Sequence, residues 1–249
     1  MKKIFSCILA IIILGAMLSG CSNNDSKEMI KKAKNFSIPH EVSINPTKED
    51  YGILAYNFLH YIQDNYPGRI AGTEKEKEMA VFILSALLNG GYSEKDISIQ
   101  SFNITEAVPM MDESIKNKFE GGKQNIKVVK KGESEKTIVV GAHYDSAGTH
   151  GVDDNGSGIA VAMENALRMA DTQTHYTICY IFFGSEENGM CGSREYVETL
   201  SEKEREDIVL MINIDSVLAG DYHYLYGGNV NEHGKVDRAE AVVKAYDIA

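Results

Sequence analysis

The chain has 249 residues, 43% hydrophobic and 24% charged, which suits one large or two small globular domains and excludes wholesale disorder. Four prolines exclude a collagen-like or Pro-rich chain, and four cysteines without paired spacing indicate neither a disulfide framework nor a zinc knuckle. A formal charge of -11, from 25 Lys+Arg against 36 Asp+Glu, argues against a general nucleic-acid binder, because counterion release needs clustered cations.

Met1-Lys2-Lys3 is a short positive segment, and residues 4–18 are almost wholly apolar. About fifteen residues fall short of the ~20 that span a membrane and fit the core of an export signal. The run ends Leu18-Ser19-Gly20-Cys21, which resembles the lipobox of bacterial lipoproteins. That resemblance implies cleavage before Cys21 and a diacylglycerol on its thiol. The chain would then be extracytoplasmic and held at the cell membrane, since two or more acyl chains anchor stably. A plain signal peptide with a chance cysteine is the alternative. Removing residues 1–20 deletes Lys2 and Lys3 and no acid, taking the formal charge from -11 to -13. The polar run from Ser22 to Lys27 reads as flexible, so residues 21–45 are assigned to a tether and 46–249 to the catalytic domain.

Residues 46–66 place Ile53, Leu54, Tyr56, Phe58, Leu59 and Ile62 at amphipathic-helix spacing. Tyr66-Pro67-Gly68-Arg69 is a turn. Thr73 followed by Glu76 reads as a capping box opening a second helix, which Gly90-Gly91 closes. Residues 97–104 alternate as a strand. Residues 126–129 and 137–140, separated by Lys131-Gly132-Glu133, look like a hairpin. From there the rhythm changes: strands at 137–142, 176–183 and 208–214 alternate with helices near 157–170 and 192–200. Continuous apolar strands alternating with helices indicate an α/β sheet covered on both faces. In such sheets ligands sit beyond the carboxyl ends of the strands.

Those ends carry acid and imidazole. The first gives His143-Tyr144-Asp145, with Asp153-Asp154-Asn155-Gly156-Ser157-Gly158 in the loop beyond. The second gives Gly184-Ser185-Glu186-Glu187-Asn188-Gly189, and the third Asn213-Ile214-Asp215. Taken singly, each has an ordinary reading: a core histidine, an Asx turn, a solvated helix start, an N-cap. Together, on loops expected to converge, they form a carboxylate cluster that repels itself unless a cation is bound. One histidine among carboxylates suits zinc better than calcium.

The set His-x-Asp, Asp-Asp-Asn-Gly-Ser-Gly, Gly-Ser-Glu-Glu-x-Gly and Asn-Ile-Asp resembles metallopeptidase family 28, the co-catalytic di-zinc aminopeptidases. Arg69-Ile70-Ala71-Gly72-Thr73 resembles that family's entry into its first catalytic-domain helix. The likeness runs from about residue 50 to about 220, and it implies a mixed, mostly parallel sheet between helices. It implies that His143 and Asp215 hold one zinc, Asp154 bridges two, and Glu187 holds the second, with Asp153 as the rival to Asp154. Glu186 would be the general base, taking a proton from the water between the metals. Asp145 would orient the His143 ring. His150 reads as a rim residue, Cys179 as core, and Cys191 as a residue that could line the pocket.

The family supplies a further histidine to the second zinc, well downstream. Here 34 residues follow Asp215, and they end in a helical run from about Arg238. The expectation is a chain incomplete at its C-terminus, with a weak second zinc unless His223 or His233 substitutes. The leading function is zinc-dependent removal of N-terminal residues from peptides. The alternatives are glutaminyl cyclisation and an inactive peptidase-shaped binding ectodomain or remnant. Oligomeric state, native metal, side-chain preference and amino- against carboxy-terminal cleavage are not legible.

Overall fold

The computed structural model describes residues 23–42, 44–46, 50–102, 123–222, 224–225, 227–228 and 238–248. The export signal, Cys21, His223 and His233 lie outside the described residues. In chain order the elements are α1 (Asn23–Asn35), α2 (Ile53–Asn65), α3 (Glu74–Asn89), β1 (Ile97–Phe102), β2 (Lys123–Lys130) and β3 (Ser134–His143). There follow α4 (Gly158–Met169), β4 (Tyr176–Phe183), α5 (Cys191–Thr199), α6 (Glu202–Asp207), β5 (Ile208–Asn213) and α7 (Arg238–Ile248).

The strands form one mixed sheet in the order β1-β2-β4-β3-β5. β3 runs parallel to β4 and β5, while β1 and β2 are antiparallel to their neighbours. Along β3 and β4 the side chains alternate between two cores. Val140, Ala142, Tyr180 and Phe182 face a large cluster with α2, α3 and α4. Val139, Cys179, Ile181 and Phe183 face a smaller one that includes Tyr196 of α5. An apolar strand buried on both faces is the reason these segments read as unbroken hydrophobic runs.

The proposed hairpin of β2 and β3 does not form, because β4 lies between them. The Lys131–Glu133 connection passes over the start of β4, with Glu133 N donating to Thr174 O and Ser134 N to His175 O. Gly132 is required there, since a Cβ would lie 2.3 Å from the Tyr176 carbonyl. The tether is also partly wrong: residues 23–35 are α1, which buries Met29 and Ala33 in the large core beside α3. So few apolar residues in a polar helix left no clear period to read.

α2 begins at Ile53 rather than near residue 46, after Gly52 in the left-handed region at φ 86°. It buries Leu54, Phe58 and Ile62, one side chain per turn, each contributing roughly 1.5–3 kcal/mol. Its own N-terminus offers no side-chain cap. Glu164 of α4 supplies one from across the core, accepting from Gly52 N and Ala55 N at 2.8 Å each. Arg168, one turn on, donates to the same carboxylate at 2.7 Å and lies 4.2 Å over the Tyr51 ring.

Burial raises the Glu164 pKa, but the two amides and Arg168 outweigh it and hold the carboxyl below its ordinary value of 4.5. A depressed carboxylate stabilises the fold above its unfolded pKa and loses that contribution as pH falls through the folded one. Glu164→Gln should therefore cost about 1–3 kcal/mol at pH 7 and progressively less below pH 4.5. Urea unfolding of both proteins across pH 3–7 measures this; an equal cost at every pH would contradict it.

Candidate metal centre

β3 ends at His143, opposite Phe183 at the end of its parallel neighbour β4. Ile214 N donates to Gly141 O, so the chain leaving β5 stays beside the same strand end. Parallel pairing thus brings His143, the Glu186-Glu187 turn and Asp215 to one edge of the sheet. His143 Nε2 lies 3.1 Å from Asp154 Oδ1 and 3.5 Å from Asp215 Oδ1. One donor atom from each of the three falls within 4.8 Å of the others. The imidazole is the buried floor, at 3% exposure, and the two carboxylates are its open walls, at 57% and 40%.

The loop after β3 explains which of two adjacent aspartates faces the centre. Residues Val152–Ser157 form a widened helical turn whose backbone leaves helical geometry at Asp154 and Asn155, across a cis peptide. Asp153 turns to the loop after β5: its Oδ1 accepts from Leu218 N at 2.8 Å and Ala219 N at 3.2 Å. Ser157 Oγ donates to Asp153 O and accepts from Val217 N. Asn155 is fully buried, donating to Ile214 O at 2.9 Å and accepting from Gly158 N and Ser216 N. Gly158 is obligatory at this crossing, where a Cβ would lie 2.2 Å from Asn155 Oδ1 and 2.3 Å from Ile214 O. The neighbours of Asp154 therefore bolt the post-β3 loop to the post-β5 loop, and Asp154 is the member left in the cluster.

Arg69 has a part that sequence reasoning did not foresee. It is fully buried and donates to four backbone carbonyls: Tyr144 at 2.9 Å, Tyr66 at 3.0 Å, His150 at 3.2 Å and Gly151 at 2.8 Å. Burial lowers its pKa to about 10, and Asp145 and Asp154 pull the other way. The five-donor guanidinium fork ties the turn before α3 to the loop that carries Asp154. The signal available in sequence was a charged residue inside a Pro-Gly turn, which reads equally well as a solvated one.

The turn after β4 hangs on Asp145, which is fully buried. Its two oxygens accept from Glu186 N at 3.0 Å and Glu187 N at 3.1 Å. Asp145 Oδ1 is 3.4 Å from His143 Nδ1, within ion-pair range and outside hydrogen-bond geometry. Asp145 thus acts on the ring by charge, and by hydrogen bonds on the glutamates. Burial lowers the His143 pKa, but Asp145 and Asp215 overcome it and raise the value to about 10. Glu186 and Glu187 are half-buried, and both are pushed above the ordinary carboxylate range. Burial is the main cause for each, with Asp154 next for Glu187.

His150 is exposed on the loop, as a rim residue would be, and its carbonyl serves Arg69. Cys179 lies in the small core and Cys191 is buried at the start of α5; both are free thiols.

The donor chemistry fits a divalent cation. Asp154 and Asp215 gather at one imidazole with Glu186 and Glu187 in electrostatic range, and Glu187 Oε1 is buried with no hydrogen-bond partner among the described residues. A carboxylate oxygen in that condition costs several kcal/mol unless protonated or coordinated, about 1–3 or more. An imidazole among carboxylates favours zinc over the all-oxygen calcium sites.

Comparison with known proteins agrees with this geometry. The profile of peptidase family M28 matches residues 125–248, the C-terminal half of the chain. The alkaline phosphatase isozyme conversion protein of Escherichia coli K12 is 26% identical over 217 residues, 80% of this chain and 62% of that protein. Aminopeptidase YwaD of Bacillus subtilis is 41% identical over 98 residues, 38% of this chain and 22% of that one. The chain thus spans less than two thirds of these curated relatives. Among solved structures, a zinc aminopeptidase from Bacillus subtilis superposes with TM-score 0.55 at 21% identity, over 66% of this chain and 68% of that one. An Acidobacteriales glutaminyl cyclase superposes with TM-score 0.59 at 20% identity, over 79% and 68%. At such identities the structural likeness establishes the fold, which cyclases and aminopeptidases share. The sequence match and the conjunction of strand-end motifs carry the assignment further: the chain belongs to peptidase family M28.

Proposed function

We propose that this chain provides the metal centre of a zinc-dependent aminopeptidase that hydrolyses peptides. The observation that carries the reading is a half-buried carboxylate, Glu186, held on a fixed turn beside the His143, Asp154 and Asp215 donor set. His143, Asp154 and Asp215 would hold one zinc, and Glu187 with a share of Asp154 a second. Bound zinc supplies Lewis acidity, lowering the pKa of water and polarising a peptide carbonyl. Glu186 takes the proton of the attacking water and delivers it to the departing amine. Burial raises its pKa above the ordinary carboxylate value, which makes it the stronger proton acceptor that this task needs. Asp145 keeps Glu186 and Glu187 at fixed height on the turn, so one can ligate while the other moves the proton. Among the described residues the second position gathers carboxylates only, so its zinc should be the weaker one.

Glu186→Ala should lower turnover of an aminoacyl anilide about 10²–10⁴-fold while leaving zinc content unchanged. Zinc per dialysed wild-type chain should lie nearer one than two. If Glu186→Ala loses zinc and Glu187→Ala keeps it, the two roles are exchanged and the assignment fails.

We also propose that Cys21 carries a lipid anchor and that the domain works outside the cytoplasm at the membrane. The Lys-Lys, apolar, Leu-Ser-Gly-Cys order supports this. So does the name of a relative, the probable lipoprotein aminopeptidase LpqL of Mycobacterium tuberculosis, 35% identical over 103 residues. Cys21→Ser should move the protein from the membrane to the soluble fraction; a wild type already soluble would sink the anchor.

A further inference from the structure

The carboxylate of Glu76 does not do what its sequence position suggests. In a capping box it would return to the Thr73 amide. Only half the box forms: Thr73 Oγ1 accepts from Glu76 N, but Thr73 N donates to Ile70 O. Glu76 is 2% exposed, and its carboxylate spans two distant segments. Oε2 accepts from Gly72 N at 2.6 Å and Oε1 from Ser185 N at 3.2 Å. Ser185 is fully buried and sits in the left-handed region at φ 56°, where a residue with a Cβ does not rest without outside support. Its carbonyl accepts from Cys191 N. Gly184, just before it, leaves no slack: a Cβ there would lie 2.6 Å from Gln124 O and 3.1 Å from Glu76 Oε1.

Three successive amides, Ser185, Glu186 and Glu187, therefore donate to two buried carboxylates, Glu76 and Asp145. Asp145 reaches the turn from just beyond the end of β3, Glu76 from the first turn of α3, where the helix dipole favours a negative charge.

We propose that Glu76 is a positioning residue for Glu186, acting through the Ser185 amide; this rests on the reading of Glu186 as the general base. Proton transfer tolerates little displacement, and a shift of about 1 Å can cost roughly 10²-fold in rate. Glu76→Gln keeps the size and one acceptor oxygen, so it can serve Gly72 or Ser185 but not both. Glu76→Asp keeps the charge and shortens the reach.

The experiment uses the zinc-loaded full chain and two readouts. Glu76→Gln should lower kcat for an aminoacyl anilide about 10- to 100-fold with KM and zinc content unchanged, and Glu76→Asp should do so less. Independently, amide hydrogen exchange at residues 185–187 should quicken at least about tenfold in Glu76→Gln while the β3 amides keep their protection. Wild-type kcat and exchange in both variants would overturn the proposal. So would a raised KM at constant kcat, or failure of both variants to fold, which would make Glu76 a plain stability residue. If the wild type turns over no aminoacyl substrate, the aminopeptidase reading fails by itself, and exchange at the turn still decides the clamp.

Discussion

Negative charge gathered at one edge of the sheet is the constraint on which the rest of this structure depends. Asp145, Asp154, Glu186, Glu187 and Asp215 surround a single imidazole, and parallel pairing of β3, β4 and β5 leaves them nowhere else to go. Such a cluster is unfavourable by itself. The fold answers it in two ways. Carboxylates away from the metal donors are given backbone amides: buried Asp145 takes Glu186 and Glu187, buried Glu76 takes Gly72 and Ser185, and half-buried Asp153 takes Leu218 and Ala219. Asp154 and Asp215, which take no backbone amide among the described residues, gather with His143 into one donor group that suits a cation.

Seen this way, the acidic residues divide into builders and ligands by what their oxygens touch. The division is sharpest at Asp153 and Asp154, neighbours in sequence with opposite fates, because the backbone leaves helical geometry between them. Arg69 belongs with the builders although it is a cation. Its donors go to four carbonyls and, among the described residues, to no carboxylate, so its charge acts on Asp145 and Asp154 at longer range.

The site was more legible in the sequence than the pairing of the strands. His143, Glu186, Glu187 and Asp215 stand at or within a few residues of the ends of apolar strands, so local pattern placed them there, whereas Asp154, deep in the loop after β3, was picked out by its motif. The hairpin of β2 and β3 was misread because strand order depends on a contact with β4, about fifty residues away in sequence. The helix α1 was missed because its burial is confined to Met29 and Ala33 among polar residues. Glu76 and Arg69 were not recognisable as clamps, since a single charged residue near a helix start or turn has the same sequence signature whether it is solvated or fully buried. Asp145 lies beside the imidazole as its motif implies, and what the motif did not reveal is that it also accepts from the amides of the glutamate turn.

The measurement that bears most directly on this account is anomalous diffraction at the zinc edge from crystals grown with zinc. The strongest peak should lie about 2.0–2.2 Å from His143 Nε2 and from carboxylate oxygens of Asp154 and Asp215, with Asp153 and Asp145 still bound to their amides. A strongest peak on Asp153, or no zinc among His143, Asp154 and Asp215, would contradict it.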